Sequence, residues 1–229
     1  MRFKLSAVAI LLLASAASCA PHPPPPPPPS AVGNQPLTAS TQVPGAMVYR
    51  VPNIDQLPPP RCFYIPDAQV YNGPNAQYFG VDDPEKQVVA TEVTDAFRRE
   101  IGRHQRLCPA SAPRVATLQL TLVGLRRTVP SDISSSTNPY SSILIGGVTG
   151  GANLQAAVNG SITVAGKITD STGALLAGFV NSVSSNDFTL PLDASARQIA
   201  QLGADKLAKD IAGAIDHVVA LQRQNNPGA

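Results

Sequence analysis

Hydrophobic side chains recur along this chain in distinct rhythms, and each rhythm predicts a different element. Val89, Val93, Phe97 and Ile101 follow one another at four-residue intervals, with Glu92, Arg98, Arg99 and Glu100 on other faces. That is the apolar stripe of an amphipathic helix of about five turns, ending between residues 102 and 107. Asp83 before Pro84 supplies its N-cap and first helical residue. Residues 114–125 alternate instead, with Ala116, Leu118, Leu120 and Leu122 on one face and Thr117, Gln119 and Thr121 on the other, the period of a half-buried strand. Residues 161–169 repeat that period, with Ile162, Val164 and Ile168 inward and Thr163, Lys167 and Thr169 outward. Asp170-Ser171-Thr172-Gly173 is turn chemistry leading into Leu175, Ala177 and Phe179, which predicts an antiparallel hairpin. Upstream, residues 62–65 and 68–71 read as extended segments broken at Pro66, and residues 71–75 turn the chain. Asp193 is expected to cap a long final helix whose Ile199, Leu202, Leu207, Ile211, Ile215 and Val218 face the core. The order β-α-β-loop-β-β-α predicts an α+β fold: one mixed, mainly antiparallel sheet with two long helices packed on it.

The first sixty residues follow none of these rhythms. Arg2 and Lys4 form a short basic start, and residues 5–13 an apolar run too short to span a bilayer as a stable helix, so residues 1–18 read as a signal peptide. Two processing routes fit the small residues that follow. Ala16-Ala17-Ser18-Cys19 resembles a bacterial lipobox, with Ala16 where the pattern prefers Leu, and makes Cys19 the lipidated N-terminus. Cleavage after Ala16 would instead release a soluble periplasmic protein. The seven-proline run at 23–29 favours the first route, because lipoproteins commonly carry a tether behind the anchor. With φ locked and no N–H to donate, that run forms polyproline II about 22 Å long. Residues 19–60 as a whole read as a disordered Pro-rich tether holding the domain on the order of 40 Å from the membrane. Ala20 after the cysteine, where Asp would signal inner-membrane retention, implies outer-membrane sorting with the domain facing the periplasm. The domain itself is placed at 61–222, with a disordered tail at 223–229.

The run at 160–177, GSITVAGKITDSTGALLA, together with Phe97-Arg98-Arg99-Glu100-Ile101 and the Leu118-rich strand, resembles a bacterial lipoprotein family catalogued as a domain of unknown function, number thirty-three thirteen. The resemblance covers about residues 61–219, and its motifs are structural: a hairpin turn and a helix face. It implies no activity and brings no catalytic residues.

Charge and chemistry narrow the picture further. Setting aside Arg2 and Lys4 leaves 15 cations against 15 acids, so nothing electrostatic points to nucleic acid, and Arg98-Arg99 and Arg126-Arg127 read as solvated faces. With Cys19 spent on lipid, Cys62 and Cys108 remain as a pair that an oxidising compartment would join. In a β-α-β unit the start of the first strand and the loop after the helix lie at one end of the sheet, which brings those two positions together. His104 and Cys108 stand four apart, but no acid or amide is placed to orient a Cys–His nucleophile. His22, His104 and His217 are scattered without metal-ligand spacing, Asp82-Asp83 reads as helix capping, and no nucleophile elbow occurs. No catalytic residue, metal or cofactor is therefore expected. Between Asp132 and Lys167 there is no charge at all, and this stretch carries Tyr140, Ile143, Leu144, Ile145 and Leu154. It reads either as a cover packed over the sheet or as an apolar interface. The expectation is a non-enzymatic envelope lipoprotein, a structural or accessory module meeting the membrane through Cys19 and an unidentified envelope protein. The alternative is binding or transfer of an apolar small molecule or lipid in a cavity lined by Leu118, Leu120, Ile162 and Phe179.

Overall fold

A computed structural model of the chain describes residues 32, 35–74, 76–126, 160–184 and 195–228. Its organising strand is β6 (Val115–Arg126), the longest of the alternating runs. On one side β6 pairs antiparallel with β7 (Ser161–Thr169), and β7 pairs antiparallel with β8 (Leu175–Ser184). The turn between β7 and β8 works because Gly173 takes a φ of 86°. The Asp170 carboxylate accepts from the Thr172 hydroxyl at 2.6 Å and from the Thr172 and Ala174 N–H groups at 2.8 and 3.0 Å. Those bonds, the Thr172 hydroxyl first, hold its carboxyl below the ordinary value.

On its other side β6 is followed in parallel by three short pieces, β3 (Cys62–Tyr64), β4 (Gln69–Val70) and β5 (Gln77–Phe79). Pro66 and the turn at Gly73 break what would otherwise be one strand, as proline without an N–H must. Beyond β8 the sheet continues through β2 (Met47–Arg50) to β1 (Thr38–Ala39), both antiparallel. The described residues thus form one mixed sheet of eight strands, and with its two long helices the protein is of the α+β class.

Both helices lie on one face. In α1 (Asp83–Gly102), Val89, Val93, Phe97 and Ile101 are all buried, as their spacing requires. The cap is Asp82, one residue earlier than expected: its side chain accepts from the Glu85 N–H at 2.8 Å, while Asp83 pairs with Lys86. Glu100, expected outward, is buried and held by Arg103 at 2.7 Å. The second helix, α2 (Ala196–Asn225), opens on a reciprocal capping box between Ser195 and Gln198. Asp193, the expected cap, lies outside the described residues. The stripe of α2 also differs from expectation. Ile199, Leu207, Ile211 and Ile215 are buried as expected, but Leu202 is 42% exposed and Val218 half-buried, and Ala200, Ala204, Ala208 and Val219 complete the buried stripe instead. Small residues win here because the helix rides close to the sheet: a Cβ on Gly203 would lie 2.3 Å from Ile162 Cγ2. No described helix is long and apolar enough to cross a membrane.

Two expected boundaries move. Val43 and Ala46 belong to the main core, and β1, β2 and a 3₁₀ turn at Ile54–Gln56 are integral to the fold, so the part of the supposed tether from residue 35 to 60 is domain. The surrounding prolines masked a strand signal in Met47-Val48-Tyr49-Arg50-Val51. At the other end, residues 223–226 are not a loose tail. Arg223 donates to Gln105 Oε1, Asn225 to the Asp55 carbonyl, and Asn226 to the carbonyls of Gln56 and Leu57. A smaller apolar cluster of Val32, Val123 and Ala165, with Leu37 and Val180 against it, occupies the far face of the sheet.

Candidate functional site

The second half of α2 and the arm formed by residues 40–60 enclose an apolar crevice at the end of the sheet. The arm reaches it because β2 pairs with β8 in the register Val48↔Phe179 and Arg50↔Ala177, which sets Val48 and Arg50 on the helix side. Ile211, Ile215 and Val219 come down from α2, Ile54 and Pro60 close the end, and Phe63 and Ala116 form the floor. The enclosed volume is about 80 Å³. Phe179 makes one wall and cannot swing away. Its ring lies on Gly166, where a Cβ would come within 2.4 Å of it, and stacks on Phe97 with centroids 6.2 Å apart. The polar groups on the rim are Ser40, Tyr49, Arg50 and Gln222. Gln222 donates to the Ile54 carbonyl at 2.8 Å, and Arg50 donates to Gln42 Oε1.

The expected cavity at Leu118, Leu120, Ile162 and Phe179 is not what forms. Leu118, Leu120 and Ile162 are wholly buried and do not line the crevice; only Phe179 does. The sequence pattern does not mark Arg50, Val48 and Val43, because their segment has the composition of a tether.

At the same end of the sheet, Cys62 and Cys108 form a disulfide, with Cα atoms 5.9 Å apart. Residue 62 opens β3 and residue 108 follows α1, the two positions that β-α-β topology brings together. The backbone reinforces the join, since the Phe63 N–H donates to the Arg106 carbonyl and the Cys108 N–H to the Phe63 carbonyl. Arg114, at φ 55°, turns the chain into β6 and donates from Nη2 to the Pro59 carbonyl at 2.7 Å. The thiol of the Cys–His reading is thereby consumed, and His104 Nδ1 instead faces Asp216 Oδ2 at 3.7 Å.

Three arginines tie elements together. Arg98 donates twice to the Ile65 carbonyl and once to Asp67. Arg99 reaches Asp205 across the helix pair, and Arg197 reaches Glu92 at 2.8 Å. These pairs span an open polar groove between the C-terminal part of α1, from Glu92 to Arg99, and the first half of α2, in which Glu92 Oε2 has no partner. Arg126 lies 4.6 Å over the Phe79 ring. The Tyr78 hydroxyl donates to the Leu122 carbonyl, and burial, against a smaller opposing pull from the Tyr71 backbone, raises its phenol above the ordinary tyrosine value. Among the described residues no group of three His, Cys, Asp or Glu side chains is placed to hold a metal. Cys19, the lipidation candidate, and Tyr140, Ile143, Leu144, Ile145 and Leu154, the candidate interface, lie outside the described residues.

A family model described as "Protein of unknown function (DUF3313)" matches residues 35–211. That span begins ahead of the residue 61 at which the sequence pattern places the domain, in accord with the arm being part of it. Among curated proteins none matches the chain. Two solved structures are distantly similar in fold, both PelC dodecamers from Paraburkholderia phytofirmans. A variant gives a TM-score of 0.39 at 10% identity, covering 72% of this chain and 95% of that one. A second crystal form gives 0.38 at 11%, covering 72% and 96%.

Proposed function

We propose, for a chain that belongs to the DUF3313 family of proteins of unknown function, the role of a lipid-anchored envelope protein. It is a non-enzymatic structural or accessory module that meets a second envelope protein on the periplasmic side of the outer membrane. The observation that carries this reading is the Cys62–Cys108 disulfide behind a leader-like N-terminus. Such bonds persist in oxidising compartments, and this one leaves Cys19 as the unpaired cysteine of three, at the place where a lipobox puts its acylated residue. The charged groups of the folded part support a non-catalytic role, because Arg98, Arg99 and Arg197 each end on a carboxylate that ties elements together. The alternative, an apolar small molecule or lipid in a cavity lined by Leu118, Leu120, Ile162 and Phe179, is disfavoured at that place by the close packing of Leu118, Leu120 and Ile162.

The test is metabolic labelling with palmitate in a bacterial host, comparing wild type with Cys19→Ser. Label and membrane association in the wild type, both lost in the variant, are the expected result. A wild type that runs unlabelled and soluble would sink the anchored reading. Cross-linking from the labelled protein then identifies the neighbour.

A further inference from the structure

We propose that the crevice beside the second half of α2 is a binding site for a small amphipathic carboxylate, its short alkyl tail seated between the apolar walls and its carboxylate on Arg50. Three observations converge on that ligand. The walls are hydrocarbon: Val43, Val48, Phe63, Ile168, Phe179 and Ile215. Water against those walls would lack the two to four polar partners it needs, so they favour an apolar guest. Size sets the class. A volume of about 80 Å³ is roughly half of the 150 Å³ apolar cavity that takes up benzene, enough for a tail of about three or four carbons. A long-chain lipid, which needs a pocket of about 300 Å³ or more, does not fit. Charge sets the head group. Arg50 is the one charged residue among those lining the crevice, and no acid stands with it. Its guanidinium gives one N–H to Gln42 and keeps the others for a carboxylate, which the planar fork can take in bidentate fashion.

The sequence keeps this space open. Ala177 and Ala214 stand where larger side chains would fill it, and Phe179 is pinned to its wall by Gly166 and Phe97. The site is independent of the anchored reading, and its failure would leave that reading standing.

The experiment is a titration of the full chain carrying Cys19→Ser with ¹³C-carboxyl pentanoate, followed by NMR, with 1-pentanol as the uncharged probe. Saturable one-to-one pentanoate binding is expected. Arg50→Gln should weaken pentanoate about tenfold and leave pentanol unchanged. Ala214→Phe, which fills the crevice, should abolish both, with circular dichroism reporting that the fold is intact; if that variant does not fold, Ala177→Leu replaces it. Absence of saturable pentanoate binding overturns the proposal, whether because the crevice is idle or because it receives a partner's apolar side chain. Pentanol binding without pentanoate, or pentanoate binding indifferent to Arg50→Gln, overturns the assignment of the carboxylate to Arg50.

Discussion

The two halves of α2 are built from similar residues and end in opposite conditions. From Ile199 to Ala208 the helix lies on the middle of the sheet and on α1, and its small residues let it approach until Gly203 has no room even for a methyl group. From Ile211 onward it meets the arm of residues 40–60 instead, and a hollow remains between them. The difference lies in what covers each half. Long strands with continuous alternation present a regular surface that a helix can follow closely. The arm contributes only a four-residue strand and a three-residue 3₁₀ turn, so its side chains cannot interdigitate as evenly. A filled interior and a receptive crevice can thus be made along one helix by changing the partner alone.

The strongest way to break this contrast is at the hollow end. Replacing both Cys62 and Cys108 by Ala releases the floor strand that carries Phe63. On the chain-entropy model, opening a link 46 residues apart costs about 4 kcal/mol. A denaturant titration should show that loss, and an unchanged midpoint would mean that the bond contributes nothing. Next comes a paired test with one substitution in each half. Gly203→Ala should destabilise by about 1–3 kcal/mol, because its methyl collides with Cγ2 of Ile162, a stiff β-branched side chain that is wholly buried. Gly213→Ala, with nothing within 4 Å of the added carbon, should stabilise by about 0.8 kcal/mol through helix propensity. If both changes had the same sign in thermal melts, the contrast between the halves would fail.

The smallest effect separates the regions by pH. Tyr78 is held neutral in the fold, since burial raises its phenol, so its contribution is whole below about pH 10, the ordinary tyrosine value. It drains as pH climbs toward the raised folded value, where only the unfolded chain has already ionised. Wild type should therefore lose stability above pH 10, and Tyr78→Phe should lose less over the same interval. The Tyr78→Phe variant itself gives up about 1 kcal/mol at neutral pH with the hydroxyl bond to Leu122. Hydrogen exchange should place the alkaline loosening at β5 and β6, away from the crevice.

What was legible in the sequence tracks the length of uninterrupted periodic pattern. The α1 stripe and the alternation in β6 to β8 are long and unbroken, and their inward residues were read correctly from Val89 through Phe179. The Cys62–Cys108 pairing was also readable, because β-α-β topology leaves the two ends of the unit together. The arm was not, since four strand residues among prolines carry too little periodicity to outweigh composition. Leu202 was misplaced because hydrophobicity favours the larger side chain, whereas the proximity of α2 to Ile162 selects Gly203. Arg50 could not stand out as a candidate site residue until the register with Ala177 put it beside Ile215 and Phe179.

The pairing of β2 with β8 also dictates an order of events. Met47 finds its partner only when Val180 is present, and such a distant contact must overcome a large loop-closure entropy before it stabilises anything. A chain emerging from the ribosome with its N-terminus first therefore presents the arm long before there is an edge to receive it. The β6, β7 and β8 ladder must assemble first, and docking of the arm is the closing step of folding. Until then Val43, Val48 and the apolar side of α2 stay uncovered together, which makes the late intermediate, rather than the finished domain, the species that a chaperone would recognise.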